Sequence, residues 1–209
     1  MENYLSHAWQ QLASRYTSDQ ALITGLWKEL EKAYAGKSRH YHNLLHIETM
    51  LRFAEEHQSA LGSPHLVRFA IFYHDAVYRS TRSDNEEKSA QLAFARLQEL
   101  GLSLAEADIV VEMILATKTH ESHGNPDVDY LLDFDLAILG ASWDAYLQYS
   151  QQIRKEYSLY PDFLYNKGRQ KVLRHFLDKD SIFQTAPFKA NLEGQARHNL
   201  EKELQLLST

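Results

Sequence analysis

A chain of 209 residues, 44% hydrophobic and 24% charged, has the make-up of a soluble folded protein, most simply a single domain with a substantial core. Its net charge of −6 comes without a basic tail. That excludes the extended polyanion binding that clustered lysines and arginines support, so no extended nucleic acid is expected as a partner. Cysteine is absent, which removes disulfides and thiolate metal sites.

Eight glycines and four prolines are few, and long β-branched runs are missing, so the expected fold class is all-α. The stretch from Met1 to His7 lacks the basic start and apolar block of a signal peptide. No apolar run approaches the ~20 residues that span a bilayer. The expectation is a cytoplasmic protein with no membrane partner.

Apolar residues recur at helical spacing from Tyr4 to Tyr34, first Leu5, Ala8, Trp9 and Leu12, then Leu22, Ile23, Leu26, Trp27 and Leu30. Thr17-Ser18-Asp19 reads as the turn and cap between two helices, and Gly36 closes the second. The next helix is read through His42 and His46 to about Gln58; four apart, these histidines share one helical face. Leu66 to Tyr78 follows, apolar or aromatic apart from Arg68 until it reaches His74-Asp75. Ser63 is its expected N-cap, with Pro64 at the first helical position. A helix so hydrophobic belongs in the interior. Its end therefore delivers an imidazole and a carboxylate into apolar surroundings, where an ionised carboxylate is costly without a compensating cation. A basic partner would satisfy Asp75 alone, whereas a metal ion would use both residues.

After a polar loop from Arg79 to Asp84, Asn85 begins a helix that Gly101 closes near Leu100. Ser103 and Glu106 form a capping box for the next, which runs to about Thr117. Lys118 to Asp127 is the most polar segment and reads as a site rim. Asp129 to Leu139 is apolar except for Asp133 and Asp135, and Gly140 stops it. Asp133 falls on a different helix face from Asp135 and suits a structural hydrogen bond or salt bridge. Ser142 is expected to cap a helix to about Tyr157, Pro161 to open one ending near Asp178, and a last helix to lie between 187 and 207. The total is about ten helices.

The chemistry-bearing residues are His42, His46, the His74-Asp75 pair and Asp135. Taken singly, most have plain readings. A histidine pair at this spacing serves surface or capping chemistry, and a buried aspartate pairs with an arginine. His74-Asp75, on the most apolar helix, carries the stronger functional signal. Spacing alone supports a metal site without establishing one.

In chain order, however, His46, His74-Asp75 and Asp135 resemble the signature of the HD superfamily of metal-dependent phosphohydrolases. Tyr41-His42-Asn43-Leu44-Leu45-His46-Ile47 is similar to the Tyr-His-Asn-x-x-His-Ala motif of cyclic nucleotide phosphodiesterases, a branch of that superfamily. The pattern continues in Asn85-Glu86-x-x-Ser89-Ala90, Thr117-x-x-His120, Arg154-x-Glu156-Tyr157 and Ala196-Arg197-x-Asn199-Leu200, as in bacterial proteins of this length described as predicted HD-type phosphohydrolases. The resemblance implies one HD-type helical domain, with its motif core at 39–140 and the helices at 142–207 completing the bundle.

It also implies a divalent metal ion, one or two per chain, held by His46, His74, Asp75 and Asp135. Two imidazoles and two carboxylates suit Mn²⁺, Fe²⁺, Co²⁺, Ni²⁺ or Zn²⁺ and do not exclude Mg²⁺. His42 then donates a proton to the leaving group. Glu86 orients water, or is simply a carboxylate favoured by the dipole at a helix start. Lys118, His120 and Arg154 are candidate substrate contacts. The implied activity is hydrolysis of a phosphate ester or phosphodiester in a small phosphorylated substrate, most plainly a nucleotide. Two other classes stand beside it. A di-iron oxygenase would need more suitable histidines than His120 and His123 supply, and a non-catalytic nucleotide-sensing module would bind without turnover.

Overall fold

A computed structural model describes residues 2–122 and 124–208; His123 lies outside the described residues. The all-α expectation is met: ten α-helices and no strand occur among the described residues. They are α1 (Glu2–Ala13), α2 (Gln20–Tyr34), α3 (Leu44–Glu56), α4 (Pro64–Tyr73), α5 (Asn85–Leu100), α6 (Leu104–Ala116), α7 (Pro126–Leu136), α8 (Trp143–Glu156), α9 (Asp162–Leu177) and α10 (Ala186–Leu206). Short 3₁₀ turns lie at Gln58–Ala60 and Ala137–Gly140. None of these helices is long and apolar enough to cross a membrane. The chain divides into two compact units, one up to Leu131 and the other from Leu132 onward.

The first unit is built around α4. Helices α1, α3, α5 and α6 all pack on it, and Leu66, Val67, Phe69, Ala70, Ile71, Phe72 and Tyr73 are all buried. Fully burying a side chain of the Val, Leu or Phe class is worth about 1.5–3 kcal/mol, so this one helix supplies much of the local driving force. Trp9 sets its ring edge-on to Phe69, Phe72 and Tyr73, at centroid distances of 5.9, 5.3 and 6.0 Å. Its indole N–H is satisfied by the Ile23 carbonyl at 3.0 Å.

Several local readings hold. Asp19 caps α2 by accepting from the Ala21 and Leu22 N–H groups. Gly101 ends α5 at φ 96°, a left-handed conformation that favours glycine, and Ser103 with Glu106 forms the capping box of α6.

Three expectations are corrected. The Ser63 side chain makes no cap bond; the Asp127 carboxylate instead accepts from the Gly62 and Ser63 N–H groups at 2.7 and 2.8 Å. Helix α3 starts only at Leu44, because the Asn43 side chain caps it by accepting from the Leu45 N–H at 2.8 Å. His42 therefore lies before the helix and shares no helical face with His46. Finally, α4 stops at Tyr73 rather than Tyr78. Beyond it, side chains take over the backbone polar groups: Arg39 holds the Asp75 and Ala76 carbonyls, and Ser89 bonds Val77.

The second unit packs α8, α9 and α10 with the 137–140 turn. Gly140 is required there, since a Cβ would stand 2.5 Å from the Leu192 Cβ and 2.9 Å from the Leu192 carbonyl oxygen. Asp133, fully buried, accepts from the Gln184 and Thr185 N–H groups at 2.7 Å each and from the Thr185 hydroxyl at 2.6 Å, the structural role its position suggests. Asn199 donates to the Leu139 and Ala141 carbonyls, both at 2.8 Å. Arg169 and Glu203 form a buried two-pronged ion pair, with both N–O distances 2.9 Å. Burial pushes the Tyr146 phenol far above its ordinary range, so its hydroxyl stays protonated and donates to Glu203.

An ion pair this dry punishes loss of one partner. Arg169→Ala should cost about 3–5 kcal/mol of unfolding free energy in chemical denaturation. Arg96→Ala, which breaks partly exposed pairs to Glu29 and Glu99, should cost no more than about 1 kcal/mol. Equal losses for the two variants would refute the burial argument.

Candidate metal centre

His46 sits in the first turn of α3, His74 caps the C-terminus of α4, and Asp75 follows in the turn. The two imidazoles are 5% and 2% exposed, so water does not solvate them freely. His46 Nε2 lies 3.3 Å from His74 Nε2, which in turn lies 3.2 Å from Asp75 Oδ2. One donor atom from each residue falls within 4.8 Å of the others.

His74 Nδ1 stands 2.9 Å from the Ile71 carbonyl oxygen. A carbonyl only accepts, so Nδ1 carries the hydrogen, and in the neutral ring Nε2 turns a lone pair toward the cluster. His46 Nε2 meets that lone pair either as an N–H donor or, in its other tautomer, as a second lone pair, and in the second case the donors repel unless a proton or cation lies among them. Two metal bonds of about 2.1 Å meeting at 90–109° place their donor atoms about 3.0–3.4 Å apart. The observed separations match, so this group can hold a metal ion.

The turn bearing the pair is templated by α5. Ser89 Oγ accepts from the Val77 N–H at 3.0 Å and donates to the Val77 carbonyl at 3.2 Å. Asn85 accepts from the Arg79 N–H at 3.1 Å and donates to the Arg79 carbonyl at 3.0 Å. Both side chains are buried. Their i,i+4 spacing, within Asn85-Glu86-x-x-Ser89-Ala90, is the sequence signal for this role; no comparable local signal marks Arg39 or Tyr78.

His42 stands at the mouth of the group, half-buried, with Nε2 4.0 Å from Asp75 Oδ2. Its ring stacks on Tyr78 at a centroid distance of 4.3 Å and a 30° tilt.

The remaining candidates are placed as follows. Glu86 is half-buried in the first turn of α5, where the helix dipole favours a carboxylate. Lys118 is exposed and bridges the Glu87 carboxylate and the Ser83 carbonyl, the latter at 3.0 Å. His120 is half-buried at φ 51°, its N–H bonded to the Ala116 carbonyl at 3.0 Å. Asp135 is half-buried near the end of α7, in the second unit. Arg154 also belongs to the second unit. Its guanidinium ties the α8–α9 turn together through Asp162 and the Tyr157 and Tyr160 carbonyls, and it lies over the Tyr165 ring. That set of contacts gives Arg154 a structural duty the sequence did not reveal.

Comparison with family models, curated proteins and solved structures returned no match.

Because the donor set is compact, single deletions should be decisive. If the group holds an ion, His74→Ala and Asp75→Ala should each weaken Co²⁺ binding by at least about 100-fold in a calorimetric titration, more than the 10–100-fold that loss of a ligand's support costs. Wild-type affinity in either variant would remove the centre from this account.

Proposed function

We propose that this chain is a metal-dependent phosphohydrolase acting on a small phosphate ester or phosphodiester, most plainly a nucleotide. The observation carrying the reading is the convergence of His46, His74 and Asp75, with His42 beside them, in the chain order that resembles the HD superfamily signature. A divalent cation, when bound, supplies Lewis-acid chemistry to a phosphoryl group and its attacking water. The protein's own contributions follow from position. The Ile71 carbonyl fixes the His74 tautomer, and burial keeps bulk water from His46 and His74. The Tyr78 ring lies against His42, whose Nε2 is 4.0 Å from Asp75 Oδ2, and this supports a reading in which His42 hands a proton to the departing oxygen. Motif order reserves a water-orienting role for Glu86, which kinetics of Glu86→Gln test.

The deciding experiment is a phosphate-release screen of nucleotides and simple phosphodiesters with Mn²⁺, Co²⁺, Ni²⁺, Zn²⁺ and Mg²⁺. Asp75→Ala should lose metal and turnover together. His42→Ala should keep its metal while kcat falls by about 10²–10⁴-fold, with a smaller loss for substrates whose leaving group needs no proton. Turnover in metal-free Asp75→Ala would end this reading.

A further inference from the structure

One arginine joins the two halves of the centre. Arg39 lies in the loop between α2 and α3, where its own N–H bonds the Gly36 carbonyl at 2.9 Å. Its Nη1 donates to the His42 carbonyl at 3.0 Å and to the Asp75 carbonyl at 2.8 Å, while Nη2 donates to the Ala76 carbonyl at 3.0 Å. The guanidinium carbon lies 5.0 Å from the Tyr34 ring centroid and 5.5 Å from that of Tyr78. Tyr34 is itself buried and anchored by its hydroxyl to the Phe72 carbonyl at 3.0 Å. Tyr78, in turn, stacks on His42.

These contacts have a definite mechanical meaning. One segment, from Arg39 through Asn43 into α3, carries His42 and His46. The other, at the end of α4, carries His74 and Asp75. Arg39 bonds the backbone on both sides of the gap that separates their donor atoms. A change in that gap of a few tenths of an ångström would spoil the 3.3 Å approach of His46 to His74. A guanidinium suits the task because its plane reaches several carbonyls while its faces lie against aromatic rings; an ammonium keeps the charge but loses the fork.

Resting on the metal-centre reading, we infer that Arg39 is a positioning residue of that centre. It fixes the spacing between the His42/His46 segment and the His74/Asp75 turn, and through it the affinity and geometry of the bound ion. A purely structural role, capping the carbonyls past the end of α4, would show in stability alone.

The test uses Co²⁺, whose visible absorption reports coordination geometry, on the full chain. Arg39→Lys and Arg39→Met should bind Co²⁺ about 10- to 100-fold more weakly than wild type, the range for groups that orient metal ligands, and with an altered visible band. Asp127→Ala serves as the stability control, since it uncaps the opposite end of α4. It should lower the melting temperature while leaving the Co²⁺ affinity and band as in wild type. Arg39→Lys keeps the charge and most of the stem, so it remains informative if Arg39→Met fails to fold. Wild-type affinity and an unchanged band in Arg39→Lys would overturn the inference while leaving the metal centre standing. A wild-type protein that binds no Co²⁺ would overturn both.

Discussion

The close approach of two buried imidazoles and a carboxylate is the constraint on which the candidate centre depends. His74 Nε2 faces a second imidazole nitrogen at 3.3 Å and a carboxylate oxygen at 3.2 Å, within surroundings that leave the two rings almost unexposed. Such an arrangement costs free energy unless a proton or a cation lies between the donors, and groups outside it hold the three residues in place. The support is visible on every side of the turn. The Ile71 carbonyl orients His74, Ser89 and Asn85 hold the chain after Asp75, and Arg39 grips the carbonyls of His42, Asp75 and Ala76.

A common device recurs in both units: where a helix ends, a buried or half-buried polar side chain from elsewhere takes up the backbone groups left over. Asp127 serves the start of α4 and Asp133 the start of α10. Asn199 serves the carbonyls around Gly140, and Arg197 collects those of Leu177, Lys179 and Asp180. Each is a long-range contact that secures a connection without lengthening a helix, which explains how so many helices are joined with so few residues in loops. In the first unit the same device acts on the segment that bears His74 and Asp75, two of the three residues that could hold a metal ion.

The parts of this organisation that sequence could reveal are those governed by local rules. Helical periodicity, the Asp19 cap, the Gly101 terminus and the Ser103–Glu106 box depend on residues a few positions apart, and they read correctly. So did the apolar run of α4 and the polar pair at its end. At both ends of α4 the departure from the expected bounds has a long-range cause. The early stop of α4 depends on Arg39 and Ser89, and its start on Asp127. In each case a distant or differently oriented side chain competes with the local rule, and nothing in the local spacing announces it. The lengthened reading of α3 has a nearer origin: Asn43 prefers capping to helix interior, a rule that was available and was outweighed by the attraction of a His42–His46 face. Thus His46, His74 and Asp75 were legible as a group from their order, whereas the residues that space them were not.

The central claim is that two imidazoles and a carboxylate share one ion. X-ray absorption fine structure of the protein loaded with one equivalent of Zn²⁺ measures this directly. The account predicts a first shell of nitrogen and oxygen donors at about 2.0–2.2 Å, with the multiple-scattering pattern of two imidazoles. A shell of oxygen donors alone, with no imidazole scattering, would contradict it.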